Sequence, residues 1–245
     1  MDRSCRRTIS PGPAPDLVPI LTGGAVALAG ADGVLDPARA GSSPRMVALD
    51  GETPAQAMAR MQDRAAHGLR LRKLLGGAAG RSLTGTVPVT TAIERRADAG
   101  DCGTVAAPTP HDPAQGVAPC DQLWLTLTNT GGKAQDVTVL YFSADFLVRP
   151  IWPVRNPVNR LAPGESCRVS LMIEPGSTPG LEEIWVLAVP VDPDAPRVDL
   201  THLAAPGATR DLAGADALTL WLEDRLEPDN RNRTPGRGRA LPVAG

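Results

Sequence analysis

Apolar and polar residues alternate most regularly in the second half of the chain. In QLWLTLT, residues 122–128, every second residue is a leucine. A period of two places one set of side chains on a buried face and the other toward solvent, which is typical of a half-buried strand. The same pattern predicts further strands at residues 136–143, 146–152, 167–173 and 181–191. Five strands joined by short turns predict an antiparallel sandwich or barrel, and we assign an Ig-like β-sandwich to residues 101–206.

Two of the turns between these strands have clear sequence signals. Residues 129–133 contain Gly131-Gly132, a pair that can take the positive φ values of a tight hairpin, so we expect the first two strands to pair directly. The second turn, Ala-Pro-Gly-Glu at residues 162–165, joins the later strands. The fold class that follows is mainly β, with one helix on the N-terminal side of the sandwich and one on the C-terminal side.

Residues 51–100 are predicted to form a helix followed by an edge strand. The helix begins at Thr53, with Pro54 in the first helical position and Gln56 completing a capping box. Its apolar stripe consists of Met58, Met61, Ala65 and Leu69, broadened by Leu71, Leu74 and Leu75. Gly76-Gly77 is expected to end it. The strand covers residues 83–95, and Pro88 favours an edge position.

The flanking segments show weaker patterns. Residues 1–50 are expected to be largely irregular, apart from a short hairpin around Gly23-Gly24. Residues 207–228 predict a helix that docks on the sandwich, because Leu218, Trp221 and Leu222 share one face. Residues 229–245 have few apolar side chains to bury and are expected to be a disordered tail.

Composition adds limits on function and on the place of the core. The aromatic residues are four Trp, one Tyr and two Phe, and all lie beyond residue 120, so the best-packed core is expected there. A net charge of -2 gives no reason to expect nucleic acid or an anionic membrane as a partner. The chain opens with basic residues and an apolar stretch, but prolines and glycines interrupt that stretch, unlike the unbroken apolar run of a signal peptide. We therefore expect a cytoplasmic protein and leave secretion as an alternative.

The cysteines and histidines offer few catalytic or metal sites. A cysteine-protease dyad of His67 and Cys102 is disfavoured, since one residue falls in a predicted helix and the other in a polar loop. His111 could bind zinc together with Cys102 and Cys120, but these cysteines lack the short paired spacing of zinc ligands. We therefore predict free thiols, and a Cys102–Cys120 disulfide stays open as an alternative that needs an oxidising compartment. Cys167 fits an inward strand position.

No other motif carries a reaction. The sequence contains neither a G-x-S-x-G elbow nor a glycine-rich phosphate loop. Glu182 and Glu183 are interpreted as the opening of a strand and a solvent-facing residue. We predict no catalytic residue, no metal site and no cofactor.

Six short motifs after Asp121 occur in the order found in a known region. They are Asn129 with Gly131, Val139-Leu140-Tyr141, Pro153, residues 159–165 (NRLAPGE), Gly180 to Glu182, and Asp199 to Pro206. Together they resemble the β-sandwich region that follows the protease domain in bacterial caspase-like proteins. The His-Gly and Asp-x-Cys motifs of that protease have no matching counterpart in this chain, so the resemblance implies an accessory domain and not cleavage activity.

The resulting hypothesis is a non-catalytic accessory or binding domain that acts in protein–protein interaction or regulation. Its partner would be a caspase-like peptidase or that peptidase's target. The alternative is the C-terminal portion of a split caspase-like cysteine peptidase whose catalytic domain lies upstream. If the predicted edge strand at 146–152 accepts an extended peptide, Arg149 and Trp152 are candidate anchors, with Asn159 and Arg160 as further binding residues. Trp152 as a core residue is the competing interpretation.

Overall fold

The computed structural model describes most of the chain between residues 50 and 205 and shorter stretches on either side. The described residues are 17–22, 25–30, 45–46, 50–79, 87–95, 102, 107–112, 115–154, 159–175, 177, 180–205, 220–222 and 225. The predicted disordered tail at 229–245 lies outside them, as do much of 1–50 and most of the predicted docking helix.

Within these residues the fold is mainly β. A long α-helix, α1 (Pro54–Ala79), and a short 3₁₀ helix (Thr201–Ala204) accompany eleven strands, and residues 220–222 and 225 are also helical. The strands are β1 (Leu17–Thr22), β2 (Ala25–Gly30), β3 (Arg45–Met46), β4 (Val89–Glu94), β5 (Thr109–Pro110), β6 (Gln122–Thr128), β7 (Ala134–Phe142), β8 (Val148–Trp152), β9 (Arg160–Leu161), β10 (Ser166–Met172) and β11 (Glu183–Val191).

The strands form three antiparallel sheets. The first has the order β1-β2-β3, and its β1–β2 pair is the hairpin expected around Gly23-Gly24. The second, which we call the β6 sheet, has the order β10-β6-β4-β5. The third, the β7 sheet, has the order β11-β7-β8, with β9 also pairing with β7. The predicted antiparallel β architecture of the second half of the chain is thus confirmed.

The central strand β7 is buried on both faces, which explains its nearly continuous apolar run. Val137 and Val139 belong to a cluster with Leu125 and Leu127 of β6. On the opposite face, Leu140 and Phe142 belong to a second cluster, which includes Leu71, Leu75, Leu200, Leu203 and Leu222. A strand with apolar neighbours on both sides has no solvent-facing set of residues, so it loses the simple alternation seen in β6.

The predicted hairpin between the first two strands of the β domain is wrong. β6 pairs with β10 and β4, whereas β7 pairs with β11 and β8, so residues 129–133 lead from one sheet to the other. Asn129 fixes this connection from a fully buried position: its Nδ2 donates to the carbonyls of Lys133 and Leu161, each at 2.9 Å. Neither Gly131 nor Gly132 has a positive φ, so the geometry of a tight hairpin is not formed.

The start of α1 follows the sequence prediction. Gln56 N donates to Thr53 Oγ1 at 3.3 Å and Thr53 N donates to Gln56 Oε1 at 2.9 Å, which is the reciprocal pattern of a capping box. The helix continues through Gly76-Gly77 to Ala79, contrary to expectation. A glycine that ends a helix usually adopts a positive φ, and neither of these two does.

Three contacts fix α1 against the rest of the fold. A Cβ added at Gly68 would stand 2.9 Å from the Phe146 carbonyl oxygen, so only glycine permits this approach. Nearby, Arg64 Nη1 donates to Asp145 Oδ2 at 2.6 Å. At the first half of the helix, Met61 packs with Leu28 of the β1–β2 hairpin. Part of the segment expected to be largely irregular is therefore packed on the helix.

The strand after the helix is not at the edge of its sheet. β4 lies between β6 and the two-residue β5, because residues 109–110 supply an additional partner that the sequence pattern did not indicate. Pro88 is compatible with this position since it precedes the strand, where its carbonyl accepts from Thr128 N at 3.3 Å. At the far end of the chain, Leu222 is helical and buried beside Leu203.

Candidate functional site

A cavity of about 700 Å³ lies between residues of the β6 sheet and residues of the β7 sheet. We call it the inter-sheet cavity. Leu123, Leu125, Leu171 and Ile173 line it from the side of the β6 sheet, and Tyr141, Ile184 and Val186 from the side of the β7 sheet. This volume is in the range of about 300–1,000 Å³ that is common for small-molecule sites.

The strands place these side chains by their period of two. Leu123 pairs with Leu171, and Tyr141 pairs with Ile184, and directly opposed residues of an antiparallel pair point to the same side of a sheet. Elsewhere between the strands, Leu127, Val137, Val139, Leu161 and Val169 form a buried cluster. The apolar residues at positions 123 and 171 lie outside that cluster and line the cavity, whereas Ile184 both packs against the cluster and lines the cavity.

A loop closed by a disulfide supplies another wall of the cavity. Cys102 and Cys120 are bonded, with their Cα atoms 5.1 Å apart, and His111, Gly116, Val117 and Pro119 lie between them in sequence and line the cavity. The prediction of free thiols at these two cysteines is therefore wrong. Since both sulfur atoms are oxidised, neither can serve as the nucleophile of a His–Cys dyad or as a thiolate ligand for zinc.

His111 presents an unsatisfied polar atom in this wall. Its backbone is fixed on β4, because His111 N donates to the Thr91 carbonyl at 3.1 Å and Thr91 Oγ1 donates to the His111 carbonyl at 2.7 Å. Its Nδ1 is buried and has no hydrogen-bond partner in the protein. A buried polar atom without a partner destabilises a folded protein by about 1–3 kcal/mol, so its persistence here calls for an explanation.

Glu182 and Tyr141 form the second polar feature of the cavity. The Tyr141 hydroxyl donates to the Glu182 carboxyl group. Burial raises the pKa of Glu182, the hydrogen bond from Tyr141 lowers it, and the negative charge of Asp145 raises it further. Burial also raises the pKa of Tyr141, with Glu182 acting in the same direction. The cavity thus combines apolar walls with a half-buried carboxyl group whose ionised form is poorly stabilised.

Arg149 is the one predicted binding residue that lies beside the cavity. It is exposed on β8, at the edge of its sheet among the described strands, and is the cross-strand neighbour of Tyr141. Its charge lowers the pKa of Tyr141, which places it near the hydroxyl. Trp152, at the end of the same strand, is half-buried against the cluster of Leu127 and Val139, in agreement with its interpretation as a core residue.

Asn159 and Arg160 make contacts within the fold. Asn159 Nδ2 donates to the Val198 carbonyl at 2.7 Å. Arg160 forms two 2.8 Å hydrogen bonds with the buried carboxylate of Asp136. These contacts account for both residues structurally, and their role in binding a partner stays a prediction. The structure does not bring them together with Arg149 at the inter-sheet cavity.

The remaining candidates from the sequence also have structural partners. His67 Nε2 contacts the Leu203 carbonyl at 2.9 Å, and burial lowers the pKa of this histidine. Cys167 packs against the cluster between the sheets, as predicted, and burial raises the pKa of its thiol. Glu183 does not simply face solvent: it accepts from Trp185 Nε1 at 2.9 Å and pairs with Arg72 Nε at 3.0 Å.

Sequence reasoning missed the polar residues of the cavity. Glu182 continues the period-two series of Ile184 and Val186, and a carboxylate in line with inward-facing apolar residues was a usable signal. Tyr141 continues the series of Val137 and Val139 in the same way. His111 gave no comparable signal, because its position depends on the disulfide-closed loop.

Comparisons with known proteins identify no relative: no family model, no curated protein and no solved structure matches the chain. Within the described part of the chain, no helix has the length and apolar character needed to cross a bilayer.

Proposed function

We propose that this chain is a non-catalytic binding module with an Ig-like β-sandwich fold, and that the inter-sheet cavity is its ligand site. The sandwich arrangement is supported by the cluster that joins Leu125 and Leu127 of one sheet to Val137 and Val139 of the other. Burial of the second face of the β7 sheet by α1 residues such as Leu71 adds a further layer. Such a domain is a scaffold for binding between its sheets or along its edges.

The observation that carries the proposal is a cavity between the two sheets whose walls are apolar and include the half-buried Glu182 carboxyl group. Protein interiors are normally filled to high density. Here the apolar faces of the two sheets leave a space of about 700 Å³ that is partly open to solvent, and the Glu182 carboxyl group lines it with no Lys or Arg among the described lining residues. Departures of this kind concentrate at functional sites, where a ligand supplies the missing contacts.

The resemblance to caspase-like proteins supports an accessory role in a wider assembly. Several of the resembling residues are fold determinants: Asn129 fixes the connection between sheets, and Asn159 and Arg160 hold the segment that precedes the 3₁₀ helix. These residues support a shared fold and carry no cleavage chemistry. We therefore propose a protein partner, either a caspase-like peptidase or its target. A strand ending in His-Gly encoded just upstream would instead support the split-peptidase alternative.

The disulfide bears on where the protein acts. Disulfides persist in oxidising compartments and are rare in the cytosol, so the Cys102–Cys120 bond supports export over the cytoplasmic location expected from the sequence. Thiol titration of the denatured protein, purified without reductant from its own host, would test this. Loss of two free thiols relative to the reduced protein supports export, whereas full reactivity of all four cysteines contradicts it.

Binding of the neutral apolar dye Nile red tests the cavity as a ligand site. We expect saturable fluorescence enhancement in the wild-type protein and its loss in Leu171→Trp, which fills the cavity. Ser170→Trp is the matched control, because Ser170 is the next residue on β10 and is exposed on the opposite face. Equal dye binding by the two variants, with near-ultraviolet circular dichroism confirming that both are folded, would refute the proposal.

A further inference from the structure

The described residues that line the inter-sheet cavity include one ionisable group that can carry a negative charge near neutral pH, Glu182, and no Lys or Arg. Arg149 is exposed beside Tyr141 at the margin of the cavity and is not among its lining residues, and Arg64 pairs with Asp145, which does not line the cavity either. The lining thus offers a carboxylate among apolar side chains, with no cationic partner on the cavity wall. A ligand complementary to this lining carries a positive charge and an apolar body.

The size of the cavity favours a small molecule over a single inserted side chain. A volume of about 700 Å³ matches sites that enclose a drug-sized ligand. Its walls bring aliphatic side chains from four strands, Leu125 of β6, Leu171 of β10, and Ile184 and Val186 of β11, together with Val89 of β4. An aliphatic chain would contact all of these surfaces and remove them from water, which is favourable in proportion to the apolar area buried.

We propose that the inter-sheet cavity binds a small apolar molecule ending in a protonated primary amine, whose ammonium group is held by the Glu182 carboxylate. This inference rests on the proposed function of the cavity and adds the chemical class of its ligand. Tyr141 orients the carboxyl group by donating a hydrogen bond to it. His111 also lines the cavity, on the wall formed by the disulfide-closed loop.

The electrostatics of Glu182 agree with this assignment. Burial raises its pKa because the ionised carboxylate lacks the stabilisation that water would give, and Asp145 adds a like charge. An ammonium group supplies the missing positive charge, and a charge-assisted hydrogen bond in a partly dry site is stronger than a neutral one. A carboxylate ligand would meet like charge, and an alcohol would gain the apolar contacts without the ion pair.

Three ligands with the same alkyl chain separate these contributions: n-octylamine, n-octanol and octanoate, titrated by calorimetry at neutral pH. We expect the amine to bind at least about tenfold more tightly than the alcohol, and octanoate to bind most weakly. In Glu182→Gln the preference for amine over alcohol should disappear while the affinity for octanol is kept, which also shows that the variant is folded. Glu183→Gln is the matched control, because the neighbouring carboxyl group contacts Trp185 and Arg72 and does not line the cavity.

The outcomes distinguish this inference from the proposed function. If octanol or octanoate binds as tightly as octylamine, and Leu171→Trp abolishes that binding, the cavity is a ligand site but the amine assignment is wrong. If the amine preference persists in Glu182→Gln, the carboxylate does not hold the ligand, and the inference fails. If none of the three ligands binds, the inference is refuted, and the Nile red titration decides separately whether the cavity binds any apolar molecule.

Discussion

The Asp136–Arg160 ion pair should contribute more to stability than any other polar contact of the β7 sheet. The Asp136 side chain is fully buried and that of Arg160 is 14% exposed. The carboxylate accepts two hydrogen bonds from Arg160 and a third from Val198 N, all at 2.8 Å. The guanidinium also donates to three backbone carbonyls, those of Pro193, Ala195 and Pro196. The pair therefore ties β7 and β9 to the segment that leads into the 3₁₀ helix.

Removing either partner should have unequal effects. Arg160→Met keeps most of the aliphatic stem but leaves the Asp136 carboxylate buried with one remaining donor, so we expect a loss of about 3–5 kcal/mol in the free energy of unfolding. Asp136→Ala leaves the guanidinium partly hydrated and bonded to its carbonyl partners, so the loss should be smaller, about 1.5–3 kcal/mol. In the double variant the losses should not add, with a coupling of about 1–3 kcal/mol.

Guanidinium denaturation followed by tryptophan fluorescence, with the disulfide intact, measures these losses. The Lys133–Asp192 pair provides a control, because both side chains are at least 70% exposed and their separation is 3.7 Å. Lys133→Met should change stability by less than about 1 kcal/mol. An Arg160→Met variant no less stable than Lys133→Met, or additive losses in the double variant, would contradict the assigned role of the buried pair.

Three other changes have directions fixed by the structure. Gly68→Ala should lower the free energy of unfolding by about 1–3 kcal/mol, because the added methyl group would contact the Phe146 carbonyl. Gly77 has open space around it, so Gly77→Ala should raise the free energy of unfolding by up to about 1 kcal/mol. Equal effects of the two variants in denaturation would contradict this packing. Replacing both Cys102 and Cys120 by Ser should lower the free energy of unfolding by about 3 kcal/mol, since the bond closes an 18-residue separation, and an unchanged denaturation midpoint would contradict it. Because the pKa of Glu182 is raised in the folded protein, this residue's contribution to stability is present below its pKa in the unfolded chain and is lost as pH rises through its pKa in the folded protein. Glu182→Gln should remove this part of the pH dependence of the free energy of unfolding. Superimposable pH profiles for the wild-type protein and the variant would contradict this.

Local sequence signals predicted the elements better than their partners. The capping box of Thr53 and Gln56 and the alternation of β6 depend on nearby residues, so they could be read directly from the sequence. The connection that leads from β6 into the other sheet is held by Asn129, whose buried side chain bonds to the carbonyl of Leu161, 32 residues away. The sequence pattern indicated a turn at this position but not that the turn leads into another sheet.

The sequence indicated which strand residues share a face with Glu182, but not what lies against that face. Neighbouring residues of a strand point to opposite faces of the sheet, and the sequence alone does not show what each face contacts. The structure shows that Glu182 faces the cavity while Glu183 faces α1. His111 reaches the wall because the loop of residues 102–120 is closed by a disulfide and bonded to Thr91. Cysteine spacing alone left that bond as one of several alternatives.

Intermolecular methyl NOEs test the central claim most directly, since they report which residues surround a bound ligand. With n-octylamine bound to methyl-labelled protein, we predict NOEs from the ligand's chain to Leu123 and Ile184 on the two sides of the cavity. Val154, which is 70% exposed and does not line the cavity, should show none. Contacts confined to exposed methyl groups such as Val154, with none to Leu123 or Ile184, would show that the cavity is not the ligand site.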